Sequence, residues 1–207
     1  MRIARLLMFT TVAAATILPA SAWTETRVEP FALQQVRILA NCAAAQSPAK
    51  AAAVLAMDFR SPAYKKAMTN FATAHKRCLP SGKLKFAGVL LAGPLAEALM
   101  KRDRATLADR LVASRAVAIE PRSDTERVAL CVVDREPAQV AAILGTEAES
   151  RAEVEALNPI GESLQICVAP AKEMVFNRPQ LRSLLALAAY RKLTDGEVSV
   201  APAAGNR

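Results

Sequence analysis

Few side chains in this sequence could carry chemistry, and their spacing narrows what that chemistry is. There is one histidine, His75, and the four cysteines are Cys42, Cys78, Cys131 and Cys167. Metal centres need several His, Cys or acidic ligands at set spacings, so neither a metal nor a cofactor is expected here. No G-x-S-x-G elbow supports a serine nucleophile, and a Ser-His-Asp arrangement would have to recruit His75. The glycines form no phosphate-cradling pattern. Paired carboxylates remain as the one catalytic option without histidine or metal, because two of them can cleave a glycosidic bond. Glu97 is the candidate acid, although in its Leu-Ala-Glu-Ala-Leu setting a solvated glutamate on an amphipathic helix is the commoner explanation.

Charge is distributed unevenly. Residues 23–121 hold 15 basic and 7 acidic groups, whereas 122–207 hold 10 and 12. Within the first half Arg60, Lys65, Lys66, Lys76, Arg77, Lys83 and Lys85 follow one another with no acidic residue before Glu97. Such a run is either a solvated helix face or an anion-binding surface, suited to an anionic envelope component or an acidic protein. Nucleic acid is not an expected partner, since aromatic platforms for stacking bases are lacking.

The cysteines belong to a larger pattern. An offset of 89 residues superposes Cys42 on Cys131, Pro48 on Pro137, Leu55 on Leu144, Ser61 on Ser150 and Cys78 on Cys167. One inserted residue later, Phe86 meets Phe176, Leu91 meets Leu181 and Leu95 meets Leu185. The chain therefore reads as a duplicated unit. The pairing that treats both copies alike is Cys42 with Cys78 and Cys131 with Cys167. Each bridge would close a loop of 36 residues, for which chain entropy predicts about 4 kcal/mol. No C-x-x-C spacing suggests redox activity, and the bridges are expected to be structural.

The elements that position these residues read as helices throughout: Ala, Leu, Glu, Lys and Arg dominate and β-branched alternation is nearly absent. The fold class is all-α, two tandem helical units of three to four helices, each closed by one disulfide. In the first unit a helix over 30–44 should bury Phe31, Val36, Leu39 and Ala43. Ser47 should cap a second helix with Pro48 in its first turn, and Ser61 with Pro62 a third. On that third helix Tyr64, Met68, Phe71 and His75 share a face, which gives His75 a plain core role. A helix over 86–101 should kink or restart at Gly93-Pro94. A connecting helix over 105–114 and a Pro-containing linker precede a capping box at Ser123 and Glu126. Further helices are expected over 136–144, 147–157 and 178–193, the last burying Leu181, Leu184, Leu185 and Ala188.

Arg2 and Arg5, an apolar stretch from Leu6 to Leu18, and Ala20-Ser21-Ala22 read as a cleavable secretory signal with the mature chain starting at Trp23. The expected organisation is a signal at 1–22, unit 1 at 23–103, a connecting helix and linker at 104–122, unit 2 at 123–195 and a disordered tail at 196–207. Export to the periplasm or outside the cell favours disulfides. No integral membrane span is expected, and nothing in the residues specifies an oligomeric state. Taken together the sequence points to an exported, non-catalytic binding or scaffolding protein of the cell envelope. The alternatives are a carbohydrate-active enzyme using Glu97 with a second carboxylate, and a chaperone-like or purely structural helical protein.

Overall fold

Proline and serine set the helix starts in both copies, and the computed structural model shows them in register. It describes residues 30–79, 88–101, 106–168 and 174–200, the last five as backbone. The expected signal segment, Lys83, Lys85 and residues 201–207 lie outside the described residues. In the first copy α1 is Pro30–Gln46, α2 Pro48–Ala56, α3 Pro62–Ala74 with a 3₁₀ turn at Lys76–Cys78, and α4 Gly88–Met100. The connecting helix α5 is Leu107–Ala113. In the second copy α6 is Asp124–Arg135, α7 Pro137–Gly145, α8 Arg151–Leu157, α9 Gly161–Cys167 and α10 Arg178–Val200. There is no strand among the described residues.

The starts of α7 and α8 repeat those of α2 and α3 at the 89-residue offset, and α10 repeats α4 one residue later. Ser61 and Ser150 play one part: each hydroxyl accepts the N–H three residues on, from Tyr64 and Glu153, at 3.1 Å. Ser123 caps α6 in the same way through the Glu126 N–H. The Glu126 carboxylate closes the box on the N–H of Arg122 instead of that of Ser123. Ser47 stands at the start of α2 but makes no cap bond, because its hydroxyl is held by His75.

Several elements differ from the sequence reading. The helix expected over 147–157 begins at Arg151, because Ser150 takes the N-cap role and 147–150 form the preceding turn. Pro159 stands where unit 1 has Asn70, and the long α3 of the first copy is accordingly split into α8 and α9 by a 3₁₀ turn. The last helix continues to Val200, into the segment expected to be a disordered tail. Gly196 costs a helix only about 1 kcal/mol, and the next residue that forbids one is Pro202. Phe31 is exposed and stands on the wall of a cleft.

The core is centred on α4, which is buried on every side from Leu90 to Glu97. It lies between α1 and α10, and α10 in turn lies between α4 and α6. The α4–α10 crossing explains Gly93: a Cβ there would sit 2.5 Å from the Ser183 Cα, so no larger residue lets the helices approach this closely. Gly93 and Ser183 are equivalent under the repeat, so the two copies meet through the same point of their last helix, as in an isologous interface. The helix runs through Pro94 without a restart. Ala40, Ala43, Ala51, Ala92, Ala96 and Ala186 are all fully buried, which is how thin helices reach such contact.

Both disulfides pair as the duplication requires, Cys42–Cys78 and Cys131–Cys167, each with Cα atoms 5.7 Å apart. They tie α1 to the turn after α3 and α6 to the end of α9. All four cysteines are used.

Candidate functional site

The expected basic run separates into distinct environments. Arg60 folds back on Asp58, with hydrogen bonds of 3.0–3.2 Å from its N–H and guanidinium. The Arg60 hydrogen bonds hold the Asp58 carboxyl below its usual range. Lys65, Lys66, Lys76 and Arg77 are exposed on α3 and the turn after it, with no ion pair among the described residues. Their equivalents in unit 2 are Val154, Glu155, Gln165 and Ile166, so the cationic face belongs to one copy alone. Helical rise places the two pairs roughly 16 Å apart along α3.

His75 is a core residue, as the sequence indicated. Its Nδ1 donates to the Phe71 carbonyl at 2.8 Å, and Nε2 is 3.1 Å from the Ser47 hydroxyl. Both ring nitrogens are hydrogen-bonded within the fold.

Glu97 departs most from expectation. It is 3 % exposed instead of solvated. Arg182 donates to it through Nε at 2.8 Å and Nη2 at 2.9 Å, and Arg37 through Nη1 at 3.3 Å and Nη2 at 2.9 Å. Arg182 Nη1 continues to Glu153 at 3.0 Å, and Arg178 bridges Glu153 at 3.3 Å and Glu149 at 2.7 Å. Three arginines and three glutamates thus form one chain of alternating charge across the two units. Arg182 also reaches the carbonyls of Ile143, Leu144 and Thr146, satisfying the C-terminus of α7. Burial opposes ionisation of Glu97, but the hydrogen bonds from Arg182 and Arg37 outweigh it and hold the carboxyl below its usual range. A glycosidic general acid needs the opposite shift. Sequence spacing gave no sign of this network, because its partners are 60 and 85 residues from Glu97.

Two clefts flank the α4–α10 crossing, and the repeat relates them. One, of about 790 Å³, lies between the α7–α8 junction of unit 2 and the α1–α4 pair of unit 1. The other, of about 460 Å³, lies between the α2–α3 junction of unit 1 and the α6–α10 pair of unit 2. Several of their wall positions are equivalent. Thr146 and Ala148 in the first correspond to Met57 and Phe59 in the second, and Pro94 and Lys101 to Leu184 and Arg191. Their chemistry has diverged. Behind the first cleft lie Glu97, Arg182, Glu153 and Arg178, whose equivalents are Leu187, Ala92, Tyr64 and Gly88. Where unit 2 has an ion pair between Arg178 and Glu153, unit 1 has Gly88 and Tyr64, which both line the second cleft. A Cβ on Gly88 would stand 3.7 Å from the Tyr64 ring. The first cleft is therefore the larger and is backed by salt bridges, and the second is smaller and mainly apolar, with Arg191 and Glu126 paired on its wall.

No family model, curated protein or solved structure matches the chain. Among the described residues no group of His, Cys, Asp or Glu could hold a metal ion, and no helix is long and apolar enough to cross a membrane.

Proposed function

We propose that this is an exported, non-catalytic binding or scaffolding protein of the cell envelope that meets an anionic envelope component through the basic face of unit 1. The observation that carries the reading is the exposure of Lys65, Lys66, Lys76 and Arg77 with no acidic partner among the described residues, on a face that unit 2 does not reproduce. Unpaired cations on a solvated face attract polyanions and lose that attraction as salt rises. Arg60 contributes little, its charge being matched by Asp58. Export is supported by the signal-like N-terminus and by two disulfides that use every cysteine. The carbohydrate-active alternative is disfavoured because both Glu97 oxygens are occupied by guanidinium groups.

The test is retention of purified protein on anionic envelope fractions at low and high salt. Reversing Lys65, Lys66, Lys76 and Arg77 to glutamate should abolish low-salt retention, while Arg60→Ala should leave it intact. Retention unchanged in the fourfold variant would remove the reading.

A further inference from the structure

The apolar cleft goes beyond the envelope contact. Its wall joins Leu55, Met57 and Phe59 of unit 1 to Leu184 and Leu187 of unit 2, and its volume of about 460 Å³ falls within the range of small-molecule sites, roughly 300–1,000 Å³. Phe59 is 36 % exposed, and Leu184 and Leu187 are only partly covered.

Tyr64 adds an independent observation. It is 6 % exposed, it lines this cleft, and its hydroxyl has no hydrogen-bond partner among the described residues. The ring is buried, while the hydroxyl, which is not among the buried polar atoms left without a partner, reaches the open space of the cleft. Burial also pushes the phenol up to about 12, so it stays a proton donor across the physiological range.

The rim supplies charge. Lys65 and Arg122 line the cleft without a carboxylate at ion-pairing distance among the described residues, and Arg122 donates to the carbonyls of Met57 and Ala56. Arg191 is instead matched by Glu126 at 2.6 Å and Asp195 at 3.1 Å. The opening is thus cationic over an apolar interior, with one hydroxyl donor available.

We infer that this cleft binds an amphipathic small molecule with an apolar chain and an acidic head. The chain lies against Leu55, Met57, Leu184 and Leu187. The head accepts a hydrogen bond from Tyr64 and faces Lys65 and Arg122. The charged cleft offers a different interior, since the equivalent positions carry the Glu97, Arg182 and Glu153 bridges.

Decanoate and uncharged decanol, titrated calorimetrically into the mature protein at high salt, test this. Decanoate should saturate a single site, with decanol at least about tenfold weaker. Tyr64→Phe should weaken decanoate about tenfold and leave decanol unchanged, as expected for one hydrogen bond to a charged acceptor. Leu187→Phe, which fills the cleft, should weaken both. Tyr64→Phe preserves the basic face and should not alter envelope retention, so the two readings fail separately. Absence of saturable decanoate binding, equal affinity for decanol, or an unaffected Tyr64→Phe variant would each overturn the inference. So would a crosslink placing another segment of this chain in the cleft.

Discussion

Replacing Glu97 by glutamine should destabilise the protein heavily. The substitution keeps shape and removes one negative charge from a chain of three arginines and three glutamates. Glu97 accepts four guanidinium bonds, two of them from Arg182, which is 3 % exposed and has only Glu153 as a remaining acidic partner. Arg37 is 23 % exposed and regains water in part. Breaking one side of a buried pair costs about 3–5 kcal/mol. For a chain of this size that corresponds to a fall in Tm of roughly 6–20 °C, on about 2–4 °C per kcal/mol. The pH dependence has a definite sign. Since the folded carboxyl is held below its ordinary value of 4.5, its contribution is present above that value and is lost as pH falls through the folded pKa. Urea unfolding of wild type and Glu97→Gln should therefore show a wide gap at neutral pH that narrows on acidification. A gap within about 0.5 kcal/mol at neutral pH, the size of an ordinary surface substitution, or one that widens in acid, would refute the reasoning.

Other outcomes follow from the same contacts. Glu97→Leu with Arg182→Ala installs the pair found at the equivalent positions Leu187 and Ala92, and thermal melts should show it more stable than Arg182→Ala alone, which leaves Glu97 buried without its main partner. Gly93→Ala should cost about 1–3 kcal/mol, because the new Cβ meets backbone at Ser183 that cannot turn aside, and Ser183→Gly should not rescue it. Removing the Cys131–Cys167 bridge by alanine substitution should lower stability by about 2–5 kcal/mol in chemical denaturation, and removing Cys42–Cys78 should cost a similar amount.

Much of the architecture was legible because it is encoded locally and stated twice. Ser61 and Ser150, and Pro48 and Pro137, each mark an element boundary by a mechanism that acts within a few residues, and the two cysteine pairs repeat one spacing. The face of Tyr64, Met68, Phe71 and His75 is buried as its spacing indicated. What periodicity could not show arises between elements. Helix α4 is covered all round, so its stripe carries no amphipathic contrast, and Glu97 inside it looks like any surface glutamate. On α10 the expected stripe is only partly right: Leu185 and Ala188 are buried, but so are Arg182 and Lys192, while Leu181 and Leu184 are half-covered. Lys192 reaches the Arg115 and Val117 carbonyls, and Asp134 lies 2.7 Å away as an ion pair without hydrogen-bond alignment.

The candidate sites were legible to different degrees. Exposure of Lys65, Lys66, Lys76 and Arg77 followed from the missing acidic residues, and the loss of Arg60 from that set was signalled by Asp58 two positions earlier. The apolar cleft was hidden, since its walls come from both copies. Aligning the copies nevertheless exposes its signature: Tyr64 and Leu187 stand where the other copy has Glu153 and Glu97.

The divergence of two equivalent clefts, one backed by salt bridges and one proposed to take an amphipathic acid, is tested most directly by amide and methyl NMR shifts of the mature protein during a decanoate titration. The expected changes gather at Leu55, Met57, Tyr64, Leu184 and Leu187, with Arg37, Thr146 and Glu149 unmoved. Shifts centred on the charged cleft, or spread equally over both, would contradict the account.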